Sequence, residues 1–164
     1  MSAYLLNVTL HIFAALIWLG GMFFLALVGA PALRTVESPH LRAQLFKIIG
    51  ERFRTVGWVC IAVLLITGLL NLHFRGFLSW TMLGSGNFWG SSYGKTLAVK
   101  LIAVTGMLII QTVHDFFHGP AASRLAPGSE QALRMRRHAA LMARVSAILG
   151  VIVVLAAVRL TRPG

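Results

Sequence analysis

Four apolar runs, each long enough to cross a bilayer, constrain this chain more than anything else in its sequence. They cover about residues 4–30, 56–72, 96–117 and 139–160. A helix rises ~1.5 Å per residue, so about 20 apolar residues cross the ~30 Å of hydrocarbon. No water reaches the backbone there, and each run must close its own hydrogen bonds as a helix. The expected fold class is therefore all-α, an integral membrane four-helix bundle forming a single domain over residues 1–164. Composition agrees: 57% of residues are hydrophobic and only 12% charged, where an average soluble domain carries about 25% charge. The mean hydropathy is +0.80. Four spans with short connections use up the length and leave none for a separate soluble domain.

The connections are readable in outline. From Ser38 to Arg54, Leu41, Leu45, Ile48 and Ile49 recur at helical spacing among Arg42, Lys47, Arg52 and Arg54, which predicts an interfacial amphipathic helix between spans 1 and 2. Pro31 is expected to close the first span. Residues 73–94 hold five glycines with Trp80, Trp89 and Tyr93, the pattern of an irregular loop anchored by aromatic rings at the membrane surface. Residues 119–129, with Pro120, Pro127 and Gly128, read as a polar turn. The start of the chain has no basic n-region and no clean cleavage site, and is expected to be a retained helix. Cys60 is the only cysteine, so there is neither a disulfide framework nor a CxxC pair.

A formal charge of +11 can suggest nucleic acid, but these cations lie between apolar runs rather than on an aromatic-laced soluble face, so no nucleic-acid partner is expected. They act instead as topology signals. Arg34, Arg42, Lys47, Arg52 and Arg54 fill the first connection, and Arg124, Arg134, Arg136 and Arg137 the third; only Arg75, Lys95, Arg159 and Arg162 flank the opposite side. The positive-inside rule then places the first and third connections in the cytoplasm and both termini outside. A multi-pass protein of the cell (inner) membrane is the expected setting, with the lipid bilayer as its first partner. Gly- and Ala-rich helix faces also permit a homo-oligomer.

Polar groups within the spans are the site candidates. An ionisable residue at bilayer depth costs at least ~2.5–3.5 kcal/mol, so it normally faces the bundle interior and finds a partner. Lys100, Met107, Gln111, His114 and His118 share one face of the third span; Asn7, His11 and Trp18 share a face of the first; Thr67 and Asn71 align in the second, with His73 at its end. From the helical rise, His11 lies about 10–12 Å below the outer surface and Lys100 about 9 Å, so the two can meet. His114 and His118 fall near the cytoplasmic surface, with Asp115, His138 and Arg144. Imidazole ligates both haem iron and copper, and facing helices of a bundle can bracket a haem. The competing readings are a packing histidine at His11 and, for Lys100, a side chain that snorkels to the surface. Histidines at the interfaces, His40, His73, His118 and His138, are commonly unliganded, and the methionines are too scattered for a Cu(I) relay.

Three stretches carry a resemblance. His11 through Trp18 to Gly20 and Gly21, the series Glu51, Arg52, Phe53, Arg54 leading into a span that closes Thr67, Gly68, Leu69, and the run Tyr93 to Leu101 together resemble the CopD family of copper-resistance membrane proteins over most of the chain. A first-span histidine with a third-span lysine is also similar to HemJ-type protoporphyrinogen oxidases, which are small haem-b membrane proteins. HemJ-type chains carry an Asn-Glu-x-Pro-like element where Arg136, Arg137, His138 and Ala139 stand here. Typical copper-exporting CopD proteins have additional spans. The resemblance implies a functional pair, His11 and Lys100, with Lys100 in the catalytic role and Arg54 or Arg52 as the basic residue of the first connection.

Three functions follow as expectations. The first is a haem b protein that transfers electrons or oxidises a membrane-soluble reductant, quinol or porphyrin-like. There His11 ligates iron with His73 or His114 opposite, and Lys100 and Arg54 neutralise propionates. The second is copper transport or resistance through a site of His11, His73 and Met82. The third is a non-catalytic accessory membrane subunit.

Overall fold

The computed structural model describes residues 2–118, 125 and 129–161, without the side chains of residues 132, 133 and 136. The expected turn at 119–129 falls mostly outside them. No strand occurs among the described residues. The elements are α1 (Ala3–Phe24), a π-helical turn at Leu25–Gly29, α2 (Ala30–Arg34), α3 (Pro39–Phe74), α4 (Trp80–Leu83), α5 (Gly86–Gly90), α6 (Ser92–Val113), a second π-helical turn at His114–His118, and α7 (Glu130–Thr161).

Serines set the starts of three of the four long helices, α1, α3 and α6. Ser2 accepts from Leu5 N, Ser38 from Leu41 N with Pro39 following it, and Ser91 from Gly94 N; each hydroxyl satisfies an amide that the first turn leaves without a partner. Pro31 was expected to end the first span, and it does not. The helix widens into the π turn just before it and then runs on to Arg34, because a wider turn accommodates the missing N–H and the bulk of the proline ring.

Four helical stretches are long and apolar enough to cross a membrane: Ala3–Arg34, Pro39–Phe74, Ser92–His118 and Arg137–Thr161. The chain is a multi-pass membrane protein. Only 11–22% of each span's most apolar window is buried inside the chain. Side chains such as Leu27, Ile102 and Phe117 stand outward, an arrangement that hydrocarbon favours and water does not.

The amphipathic segment expected as a separate helix is instead the first half of α3, continuous with the second span. Gly50 alone does not break it, and 36 residues rise about 54 Å, well beyond the ~30 Å of hydrocarbon. The glycine-rich loop folds into the two short helices α4 and α5. Its Phe88 is buried beside Phe77 and Tyr93, and the carbonyl of Phe88 lies where a side chain on Gly94 would start.

Packing divides the bundle into two hairpins, α1 on α3 and α6 on α7, joined where α1 meets α7. Ala14, Trp18, Leu19, Cys60, Ile61 and Met107 form the shared core. Gly57 lets the Trp18 indole lie against the backbone of α3. Gly21 makes room for the Phe53 ring, while Gly20 faces open space, so only one of that pair serves close approach.

Candidate functional site

One polar seam runs between α1 and α3. Asn7 is buried and donates both amide protons, to the Thr67 carbonyl at 3.0 Å and to Asn71 Oδ1 at 2.9 Å. One helical turn along, His11 Nδ1 lies 2.7 Å from Thr67 Oγ1. The Thr67 hydroxyl also lies 2.6 Å from the Val63 carbonyl, which can only accept, so the hydroxyl proton goes there. Thr67 Oγ1 must then accept from His11, which puts the imidazole proton on Nδ1 and leaves a lone pair on Nε2. His11 Nε2 has no hydrogen-bond partner among the described residues. A ring held by one nitrogen with the other left basic is the usual condition of a metal-ligating histidine. His11 is half-buried, with its Cε1 packed over Gly68.

Lys100, half-buried on α6, belongs to the same neighbourhood: its charge acts on His11, and that of Arg75 acts on Lys100. Arg75 itself closes this end of the bundle. Its guanidinium donates to the hydroxyls of Tyr4 and Tyr93 and to the Leu160 carbonyl, and lies 5.9 Å from the Tyr93 ring centre. Burial works against its charge, but the two phenol oxygens outweigh that and hold the guanidinium above its usual range.

At the opposite end a second node forms around Asp115. It is buried and accepts from Trp58 Nε1 at 3.0 Å, Gln111 Nε2 at 2.7 Å and His114 Nδ1 at 3.0 Å. Such a carboxylate is well satisfied, and it ties α3 to the end of the third span. The donor role of Trp58 was not read from the sequence. The available signal was that Asp115 is the only acid within the four apolar runs and so requires donors from a neighbouring helix.

The remaining candidates are not gathered at His11. His73 is exposed, beside Phe74, and lies about 9 Å further along α3 than Thr67. Trp58, which bonds Asp115, is about 13 Å from Thr67 in the other direction, so His114 belongs to a different site from His11. Arg54 is further still, about 20 Å from Thr67 along the helix. Met82 sits exposed on α4. No group of three or more His, Cys, Asp or Glu side chains suited to a metal ion occurs among the described residues.

A family model, Copper resistance protein D, matches residues 47–160. A protein of Aquifex aeolicus (strain VF5), described only as uncharacterized, is 35% identical over 114 residues, which cover 69% of this chain and 68% of that protein. No solved structure matches. The family match takes in α3 from its third turn, all of α6 and nearly all of α7, with Thr67, Lys100 and Asp115 inside it. The chain belongs to the CopD, or copper resistance protein D, family.

Proposed function

We propose that this protein handles copper within the membrane, with His11 Nε2 as the nitrogen that meets the ion. The hydrogen bond from His11 to Thr67 carries this reading, because it reserves a basic nitrogen at bilayer depth. Membership of the CopD family supports copper as the ion. The site is spare. A single imidazole nitrogen suits brief, low-coordinate binding of an ion in passage better than storage. By the positive-inside count the His11 end faces away from the cytoplasm of an inner-membrane protein, the side from which an ion would enter or leave.

One observation favours a second reading, haem b. Lys100 and Arg75 surround the His11 neighbourhood, and the chain's four acids, Glu37, Glu51, Asp115 and Glu130, all belong to the other end. Uncompensated cations suit a group bearing carboxylates, such as porphyrin propionates, better than they suit a bare cation. In that case His11 would hold the iron and Lys100 a propionate, and the bound group would supply one-electron chemistry toward a membrane-soluble reductant.

Copper analysis and a visible spectrum of the tag-free protein, purified from copper- and haem-replete cells, decide between the two. Stoichiometric copper that is lost in His11→Ala and kept in His40→Ala supports the first reading, and a Soret band lost in the same variant supports the second. A colourless, copper-free protein leaves neither standing and fits an accessory membrane subunit.

A further inference from the structure

Two clefts open at the Arg75 end, and their linings are graded along the membrane normal. The first, of about 400 Å³, lies between α6 and α7 with Ser92, Lys95, Thr96 and Arg159 among its walls. Ser92 begins α6 and Arg159 lies near the end of α7, so these four form the rim at the interface. Val99, Ile152 and Leu155 also line it, a turn or more deeper into the hydrocarbon, and form its floor. The second cleft, of about 1170 Å³, shares Ser92, Thr96, Leu155 and Arg159 and extends the space to Arg75.

Charge at this rim is unbalanced. Lys95 and Arg159 are exposed and make no hydrogen bond or ion pair among the described residues. None of the four acidic side chains lies at this end: Glu37 precedes α3, Glu51 lies in the first half of α3, Asp115 ends the third span, and Glu130 opens α7. Two lone cations over an apolar trough match a molecule with an anionic head and an acyl chain beneath it. Water solvates a lysine and an arginine equally well on a flat surface. It does not explain why an apolar groove runs down from between them.

We propose that this groove seats an anionic phospholipid, its phosphate between Lys95 and Arg159 with Ser92 and Thr96 as hydroxyl donors, and one acyl chain along Val99, Ile152 and Leu155. The zwitterionic choline and ethanolamine lipids bring their own cation to the rim and bind more weakly.

Native mass spectrometry of the full chain, released from equimolar phosphatidylglycerol and phosphatidylcholine, tests this. The protein retains phosphatidylglycerol about thirtyfold over phosphatidylcholine, as two interfacial cations predict. The Lys95→Gln/Arg159→Gln double variant loses most of that preference. Arg34→Gln/Lys47→Gln, with the same change of charge at the opposite end, keeps it. Val99→Trp, which fills the trough and leaves every charge in place, also lowers retention. Equal losses in the two double variants would reduce the effect to overall charge, and full retention in Val99→Trp would remove the acyl seat; either overturns the proposal. Displacement of the lipid by millimolar inorganic phosphate would show a site for free phosphate, and would overturn it as well.

Discussion

His11 Nδ1 lies 2.7 Å from Thr67 Oγ1, and because the Thr67 hydroxyl donates to its own helix at Val63, the threonine can serve the imidazole only as an acceptor. A side chain common in membrane helices for satisfying its own backbone thus fixes which nitrogen of His11 stays basic.

Thr67→Val removes that acceptor with little change of volume. The ring is then free to turn or to change tautomer, and metal retention falls by about 10–100-fold, the usual effect of losing an outer partner of a ligating histidine. Thr67→Ser restores the acceptor and most of the retention. Titration of both purified variants with a competing copper chelator measures the difference.

Asp115 gathers donors from Trp58, Gln111 and His114. Asp115→Ala leaves all three without an acceptor. The Trp58 bond joins two helices and is worth roughly 0.6–1.7 kcal/mol, and the two bonds within the third span add to it, so the loss is about 2 kcal/mol in unfolding from mixed micelles. Asp115→Asn keeps an acceptor oxygen and loses about half as much.

Gly94→Ala puts a methyl group against the Phe88 carbonyl. Either α5 or the first turn of α6 must shift, at a cost of about 1–3 kcal/mol. A lowered melting temperature with altered near-ultraviolet dichroism from Trp89 and Tyr93 reports it.

Arg75→Gln breaks the contacts to Tyr4, Tyr93 and Leu160. Hydrogen bonds from a charged donor are worth about 1.5 kcal/mol or more, so amide exchange in the last turn of α7 rises about tenfold. The guanidinium is held above its usual range. Its contribution is therefore complete below that range and is lost only at higher pH, so exchange in the wild type shows no step across neutral pH from this group.

The four spans were legible because hydrocarbon imposes one rule, about 20 apolar residues closed as a helix, and Ala3–Arg34, Pro39–Phe74, Ser92–His118 and Arg137–Thr161 obey it. The expected break between the amphipathic helix and the second span was not there. Periodicity reports which face is apolar and says nothing of whether a helix stops, and no proline lies between residues 40 and 74 to stop it. The spacing of Asn7 and His11 and of Thr67 and Asn71 marked two polar faces, but their union across α1 and α3 depends on helix rotation, which no single helix encodes. Trp58 escaped notice for a related reason: an indole reads as packing until its N–H is seen to have a partner.

The most direct test of His11 as the reserved ligand is its tautomer. Long-range ¹H–¹⁵N spectra of histidine-labelled protein in nanodiscs, with His11→Ala to assign the ring, should show the proton on Nδ1 and a bare Nε2 whose resonance moves on addition of Cu(I). A proton on Nε2, or a His11 ring unmoved by metal while other histidines respond, would contradict the account.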